Sequence, residues 1–205
     1  REKGVQNLLK ISSAIDAFNT RVGHIVKWAI LAAVVISAVN AIVRKLFNVS
    51  SNSWLEMQWY LFGAVFMLGA AYTFLKNEHI RIDVVTSHFA KRTRDWIDVF
   101  GHVFFLIPFC WIMIWHGIPF FQRSFAISEQ SMNAGGLIVW PAKILVPLGF
   151  ILLLAQAVSE LIKRVAILRG ELEDEHAAAG HHAAAEAEAE RLLKAAEEAG
   201  LAARK

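Results

Sequence analysis

The sequence predicts an all-α membrane protein: four transmembrane helices plus amphipathic interfacial helices, with both termini on the cytoplasmic side (N-in/C-in). Three observations predict it. Of 205 residues, 56% are hydrophobic and only 19% charged. Four apolar stretches are each long enough to cross a hydrocarbon core of ~30 Å at ~1.5 Å per helical residue. Lysine and arginine gather in the segments on one side of those stretches, as the positive-inside tendency requires.

Residues 1–23 form an amphipathic N-terminal segment. Val5, Leu8, Leu9, Ser12, Ile15, Phe18 and Val22 recur at helical spacing among Lys3, Lys10, Asp16 and Arg21. The segment is too polar to span and is expected to lie in the membrane interface. Residues 24–170 form the transmembrane domain, with spans at about 25–45, 54–75, 96–117 and 140–162. The first apolar run is long enough to span and lacks a small-residue cleavage site behind it, so it is not a signal peptide. Lys27 sits near the start of span one and Asn40 near its end, and Arg44 and Lys45 close it. The short connection that follows makes spans one and two an antiparallel hairpin.

Span two, WLEMQWYLFGAVFMLGAAYTFL from Trp54 to Leu75, carries Glu56 as its only charge. Small residues punctuate it, and Gly63, Gly69 and Ala70 are expected to face another helix. The basic stretch from Val84 to Arg94 reads as a short helix on the membrane surface. Span three opens at Asp95, Trp96, Asp98 and His102 and contains Pro108, where a kink or a freed carbonyl is expected. A long connection from Ile118 to Leu137 follows. Span four opens at Trp140-Pro141, a proline position suited to a first helical turn. Pro147 is expected to bend span four. Residues 171–205, with thirteen Ala and eight Glu, read as a soluble, partly helical or disordered tail.

With the N-terminus inside, the cytoplasmic segments next to the spans, leaving out the 171–205 tail, hold twelve Lys and Arg. The outer segments hold three: Arg44, Lys45 and Arg123. Trp28, Trp54, Trp96 and Trp140 begin spans and Trp115 ends one, as interfacial anchors do.

Little here reads as chemistry. The lone Cys110 excludes an internal disulfide, and no nucleophile triad or metal-ligand cluster stands out. No catalytic residue, metal or cofactor is predicted, and the chain is not read as an enzyme. The basic residues lie beside spans, so lipid headgroups rather than nucleic acid are their partners. His102 and His116 lie fourteen residues apart on one span, a spacing that returns to nearly the same helical face. A four-helix haem-binding redox anchor is therefore the alternative function, but the remaining spans offer too few axial ligands. An acid inside a span is a functional hypothesis by default. Glu56 is expected to pair with Lys143 at comparable depth, because intramembrane charges tend to pair. No second acid lies near it for a proton relay. The glycines of NAGGLIVWP (133–141) read as a tight turn before span four.

Several motifs together resemble a known family. SWLEMQWYLF opens span two, EHIRIDV follows it, and SMNAGGLIVWPAKILVPLGF enters span four. The pattern, over roughly residues 10–170, resembles the small, DctQ-like membrane subunit of tripartite ATP-independent periplasmic (TRAP) transporters. The resemblance implies a sodium-coupled system for organic acids in a bacterial or archaeal cytoplasmic (inner) membrane. It implies two partners, a large DctM-like membrane subunit and a periplasmic solute-binding protein. The large subunit would carry the substrate and sodium sites. The small one would serve as a scaffold without an active site and offer part of the outer docking surface. On that reading Trp54, Glu56, Arg123, Glu129, Ser131 and Asn133 lie at the outer face, some beside the docked binding protein. Gly63, Gly69, Ala70 and Pro147 serve helix packing.

Overall fold

The computed structural model describes residues 2–49, 51–76 and 89–172. Five α-helices occupy them. These are α1 (Glu2–Phe47), α2 (Asn52–Leu75), α3 (Lys91–Gly101), α4 (Ile107–Ala126) and α5 (Trp140–Leu168). A π-helical turn, His102–Leu106, joins α3 to α4 without a break. Four helical stretches are long and apolar enough to cross a membrane: Gln6–Phe47, Asn52–Leu75, Arg92–Ala126 and Trp140–Leu168. The chain divides into two units at Val165/Ala166. In the second, the described residues finish α5 and turn the chain through Gly170, whose φ of +74° suits glycine's freedom at a helix end. The EHIRIDV segment, residues 84–88 of the expected surface helix and the tail beyond Leu172 lie outside the described residues; the end of that expected helix, from Lys91, opens α3.

The N-terminal amphipathic segment is helical, but it is not a separate element lying across the interface. It continues into the first span as one 46-residue helix, about 69 Å long. One seam explains why. Ser12, Asn19, Val26, Ala33 and Asn40 are all buried and lie seven residues apart. Ile15, Val22, Ala29, Ile36 and Val43, three residues further on each time, are half-buried. This is the heptad pattern of a helix packed along a single line. It crosses the expected boundary near residue 23 unbroken. Small and short polar side chains on the seam let neighbours come close. Beside the seam, Gly23 lies directly under the Tyr72 side chain, which leaves no room for a Cβ.

The innermost helix is α5. In its most apolar window 28% of residues are buried, against 6% in α2. It meets α2 where Gly149 faces the Met67 backbone: a Cβ there would sit 2.7 Å from the Met67 carbonyl oxygen. It meets α4 where Gly117 lies against the buried Pro147 and Phe109 packs edge-on to Phe150. Pro147 therefore serves packing through the surface its ring presents to Gly117. Gly63 faces Leu145 of α5, with 3.8 Å between its Cβ position and Leu145 Cδ1. Around Gly69, no atom of this chain stands within 4 Å of the Cβ position, so that face is open to a partner's helix or to lipid. On this part of α2, Ala71 is the fully buried small residue, and Ala70 is only half-buried.

A π turn stands immediately before Pro108, where a kink or a freed carbonyl is expected. The proline ring removes the donor that would have bonded the Phe104 carbonyl. Immediately before it the helix widens, and the Ile107 amide reaches the His102 carbonyl instead.

A loop closed on one carboxylate

At one end of the bundle, α4 and α5 are joined by residues 127–139. Ser128, with φ of +48°, turns the chain out of α4. Gln130 and Ile138 then form an antiparallel bridge. Val139 N–H donates to the Glu129 carbonyl (2.9 Å) and Ser131 N–H to the Leu137 carbonyl (3.0 Å). The tip turns at Gly135, whose φ of +70° most residues would resist. Gly136 N–H closes the tip on the Asn133 carbonyl at 2.9 Å.

The closed tip folds onto the first turns of α2. Glu56 is 4% exposed and accepts three hydrogen bonds from the loop. The donors are the Ser131 hydroxyl, Asn133 Nδ2 at 2.7 Å and the Leu137 amide at 2.7 Å. Asn52 Nδ2 donates to the Ala134 carbonyl (2.9 Å) and the Ser53 hydroxyl to that of Gly135. The Tyr60 hydroxyl donates to the Ile138 carbonyl at 3.1 Å. A buried charge is tolerable only when its lone pairs are met in this way. Gly136 is needed at this contact, since a Cβ there would lie 2.5 Å from Ser131 Cβ and 2.9 Å from Glu56 Oε1.

The expected Glu56–Lys143 pair does not form. Lys143 Nζ makes its ion pair with Glu129 and lies 4.4 Å above the Phe120 ring. The reason is reach: the folded loop brings Glu129 back to the first turn of α5, while its tip supplies Glu56 with neutral donors. The Lys143 ammonium holds the Glu129 carboxyl below its ordinary value of 4.5. Of the sequence-predicted residues, Glu56, Ser131 and Asn133 thus form one cluster, with Glu129 and Lys143 as a pair beside it. Trp54 and Arg123 are exposed at the same end and take no part in the cluster. Sequence reasoning missed Asn52, Ser53, Tyr60, Gly136 and the Leu137 amide. Asn52 and Ser53 are legible only as polar residues of the connection before span two.

The opposite end holds a second polar cluster, which joins α1 to α5. Asn19 Nδ2 donates to Gln156 Oε1 at 2.7 Å, and Gln156 Nε2 donates to Asp16 at 2.8 Å and Glu160 at 3.0 Å. The Ser12 and Ser159 hydroxyls lie 2.6 Å apart, and Ser159 also donates to Asp16 at 2.7 Å. Lys163 pairs with Asp16 at 3.0 Å and with Glu160. Beside it, Arg164 bridges Asp95 (2.9 Å) and Asp98 (3.0 Å) at the start of α3.

The two histidines sit differently. His102 is buried, its Nδ1 donating to the Asp98 carbonyl and its ring against Phe74, while His116 is exposed. The π turn between them also breaks the regular 100° step on which their shared face depended. The haem alternative finds no support.

Four helices fit to cross a membrane, pinned at both ends by polar clusters, define a multi-pass integral membrane protein. The chain belongs to the DctQ family: residues 33–166 match the family described as Tripartite ATP-independent periplasmic transporters, DctQ component. No curated protein and no solved structure matches it.

Proposed function

We propose that this chain is the small, non-catalytic membrane subunit of a sodium-coupled TRAP transporter for organic acids. It scaffolds the large membrane subunit and contributes to docking of the periplasmic solute-binding protein. It lies in a bacterial or archaeal cytoplasmic membrane with both termini inside, which the charge asymmetry favours. The domain division at about residues 23 and 170 is retained as organisation rather than as separate folding units.

The observation that carries the docking role is the 127–139 loop closed on Glu56. A loop fixed in advance loses less freedom on binding, so it suits a docking surface. In the proposed orientation it faces the periplasm, with Met132 fully exposed at its tip and Arg123 and Trp54 nearby. The scaffold role rests on apolar surface the chain leaves open. Leu55, Trp59, Phe62 and Phe66 form one exposed stripe along α2, and α4 exposes Phe109, Trp111, Ile112 and Trp115. Such faces are met by lipid or by a partner's helices. A cargo site is not expected here, because four helices with so few intramembrane charges cannot readily enclose an anion with sodium at mid-membrane.

The test is co-purification. Tagged chain should bring down the large membrane subunit encoded beside it, and the pair should bind the solute-binding protein. Replacing Glu56 by Leu should weaken that last step while sparing the first. Uptake of an organic acid by this chain alone in liposomes would overturn the reading. An outside-facing thiol reagent should reach Ser131→Cys and not Ser87→Cys; the reverse would invert the topology.

A further inference from the structure

A groove of about 610 Å³ opens between the end of α1 and the start of α2, lined by Ser37, Asn40, Ala41, Arg44, Lys45, Asn48 and Leu55. The α1 residues follow helical spacing, so the last turns of α1 present one polar strip to it. Asn40 is only 8% exposed, and its amide makes no hydrogen bond among the described residues. Its polar atoms open onto the groove, where they can meet a guest's hydrogen-bonding groups. Arg44 and Lys45 stand above it, exposed and without an ion pair among the described residues. Asn48, in the left-handed conformation that ends α1, places a further amide at the mouth.

Cations at a helix C-terminus also complement the helix dipole. That accounts for Arg44 and Lys45 but not for Ser37 and Asn40, one to two turns deeper on the same side. The strip changes character below them. Ile30 and Val34, seven residues before Ser37 and Ala41, are apolar and 45% and 54% exposed. Cationic above, amide and hydroxyl in the middle, and apolar below is the order of groups along a phospholipid. We infer that this groove seats one anionic phospholipid, its phosphodiester held by Arg44, Lys45, Asn40 and Asn48 and its acyl chains lying along Ile30 and Val34.

The depth of the groove argues for lipid over a soluble anion. Ser37 lies ten residues before the end of α1, about 15 Å along its axis, where an ion without chains would lose its hydration for few contacts. The site is independent of which way round the chain lies, because both leaflets carry phosphodiesters.

Native mass spectrometry of the delipidated full chain, titrated with phosphatidylglycerol, tests the inference. One tightly held lipid is expected. The double variant Arg44→Gln/Lys45→Gln, at solvent-exposed positions, should weaken it about tenfold or more, as loss of charge-assisted bonds predicts. Asn40→Leu should weaken it by about threefold or more, and Arg123→Gln, at the same end but outside the groove, should change nothing. Equal binding of uncharged diacylglycerol would overturn the inference, as would displacement of the lipid by millimolar inorganic phosphate, which marks a plain anion site. So would a double variant that keeps its lipid but loses the large subunit, which would make the groove a seat for an acidic partner.

Discussion

The two polar ends of the bundle are built on opposite plans. At the loop end, one carboxylate on α2 gathers donors from three places in a thirteen-residue connection, two of them side chains and one a backbone amide. At the opposite end, hydroxyls, amides and charges of α1 and α5 share bonds among themselves, and several groups touch more than one partner. The first plan fixes the path of a backbone that has little regular structure of its own. The second only fastens two helices that would be helical anyway. A hub concentrates dependence on a single residue, whereas a mesh spreads it.

The largest expected effect therefore belongs to Glu56. Its replacement by Leu strands three donors and should cost about 3 kcal/mol or more, since a bond to a charged group is worth ~1.5–3 kcal/mol. Deuterium exchange at the Leu137 amide should rise sharply. Replacing Gln156 by Leu also breaks three bonds and should likewise cost about 3 kcal/mol or more, but it should leave that amide protected. If both substitutions loosened the loop equally, the contrast between hub and mesh would be wrong.

Backbone contact comes next. Gly149→Ala forces a methyl against the Met67 carbonyl and should cost about 1–3 kcal/mol, read as a lower melting temperature in detergent. Gly69→Ala, which meets open space, should be neutral or slightly stabilising through helix propensity. Smaller again is the coupling across the mesh. A double-mutant cycle of Asn19→Leu with Gln156→Leu should give about 0.6–1.7 kcal/mol, the range found for hydrogen bonds between membrane helices. A value near zero would mean the remaining bonds close over the gap.

The mildest effect is that of acid on the loop. Lys143 lowers the Glu129 carboxyl below 4.5, so this ion pair contributes fully above that pH and fades as the pH falls through the lowered value. A fluorophore on Met132→Cys, at a fully exposed position, should therefore report a fixed loop across neutral pH and loosening only in acid. Cys110 is fully buried and should not compete for the label. Lys143→Gln should move the loosening up toward the ordinary carboxyl range.

Hydropathy made the four long helices legible, because a continuous apolar run has few other uses. It could not show that the N-terminal segment belongs to the first helix. Ser12 and Asn19 look like breaks in an apolar face until Ser159 and Gln156 are seen to meet them. Glu56 was conspicuous as an acid inside a span, and Ser131 and Asn133 were legible as polar residues beyond it. Their convergence depends on how the loop closes through Gly135 and Gly136, which no local pattern encodes. Hence the carboxylate was assigned to the cation at similar depth, although that cation is taken by Glu129. The small residues differ in what this chain brings to them. Gly69 and Gly149 are equally small, but only their neighbours decide which one lies at a contact.

One consequence follows from the length of α1. A helix of about 69 Å is more than twice as long as the oily layer is thick, so it must slant, project, or do both. Fastened to α5 near its beginning and packed on α2 further along, it makes one unbroken element span the whole distance between the molecule's two polar ends.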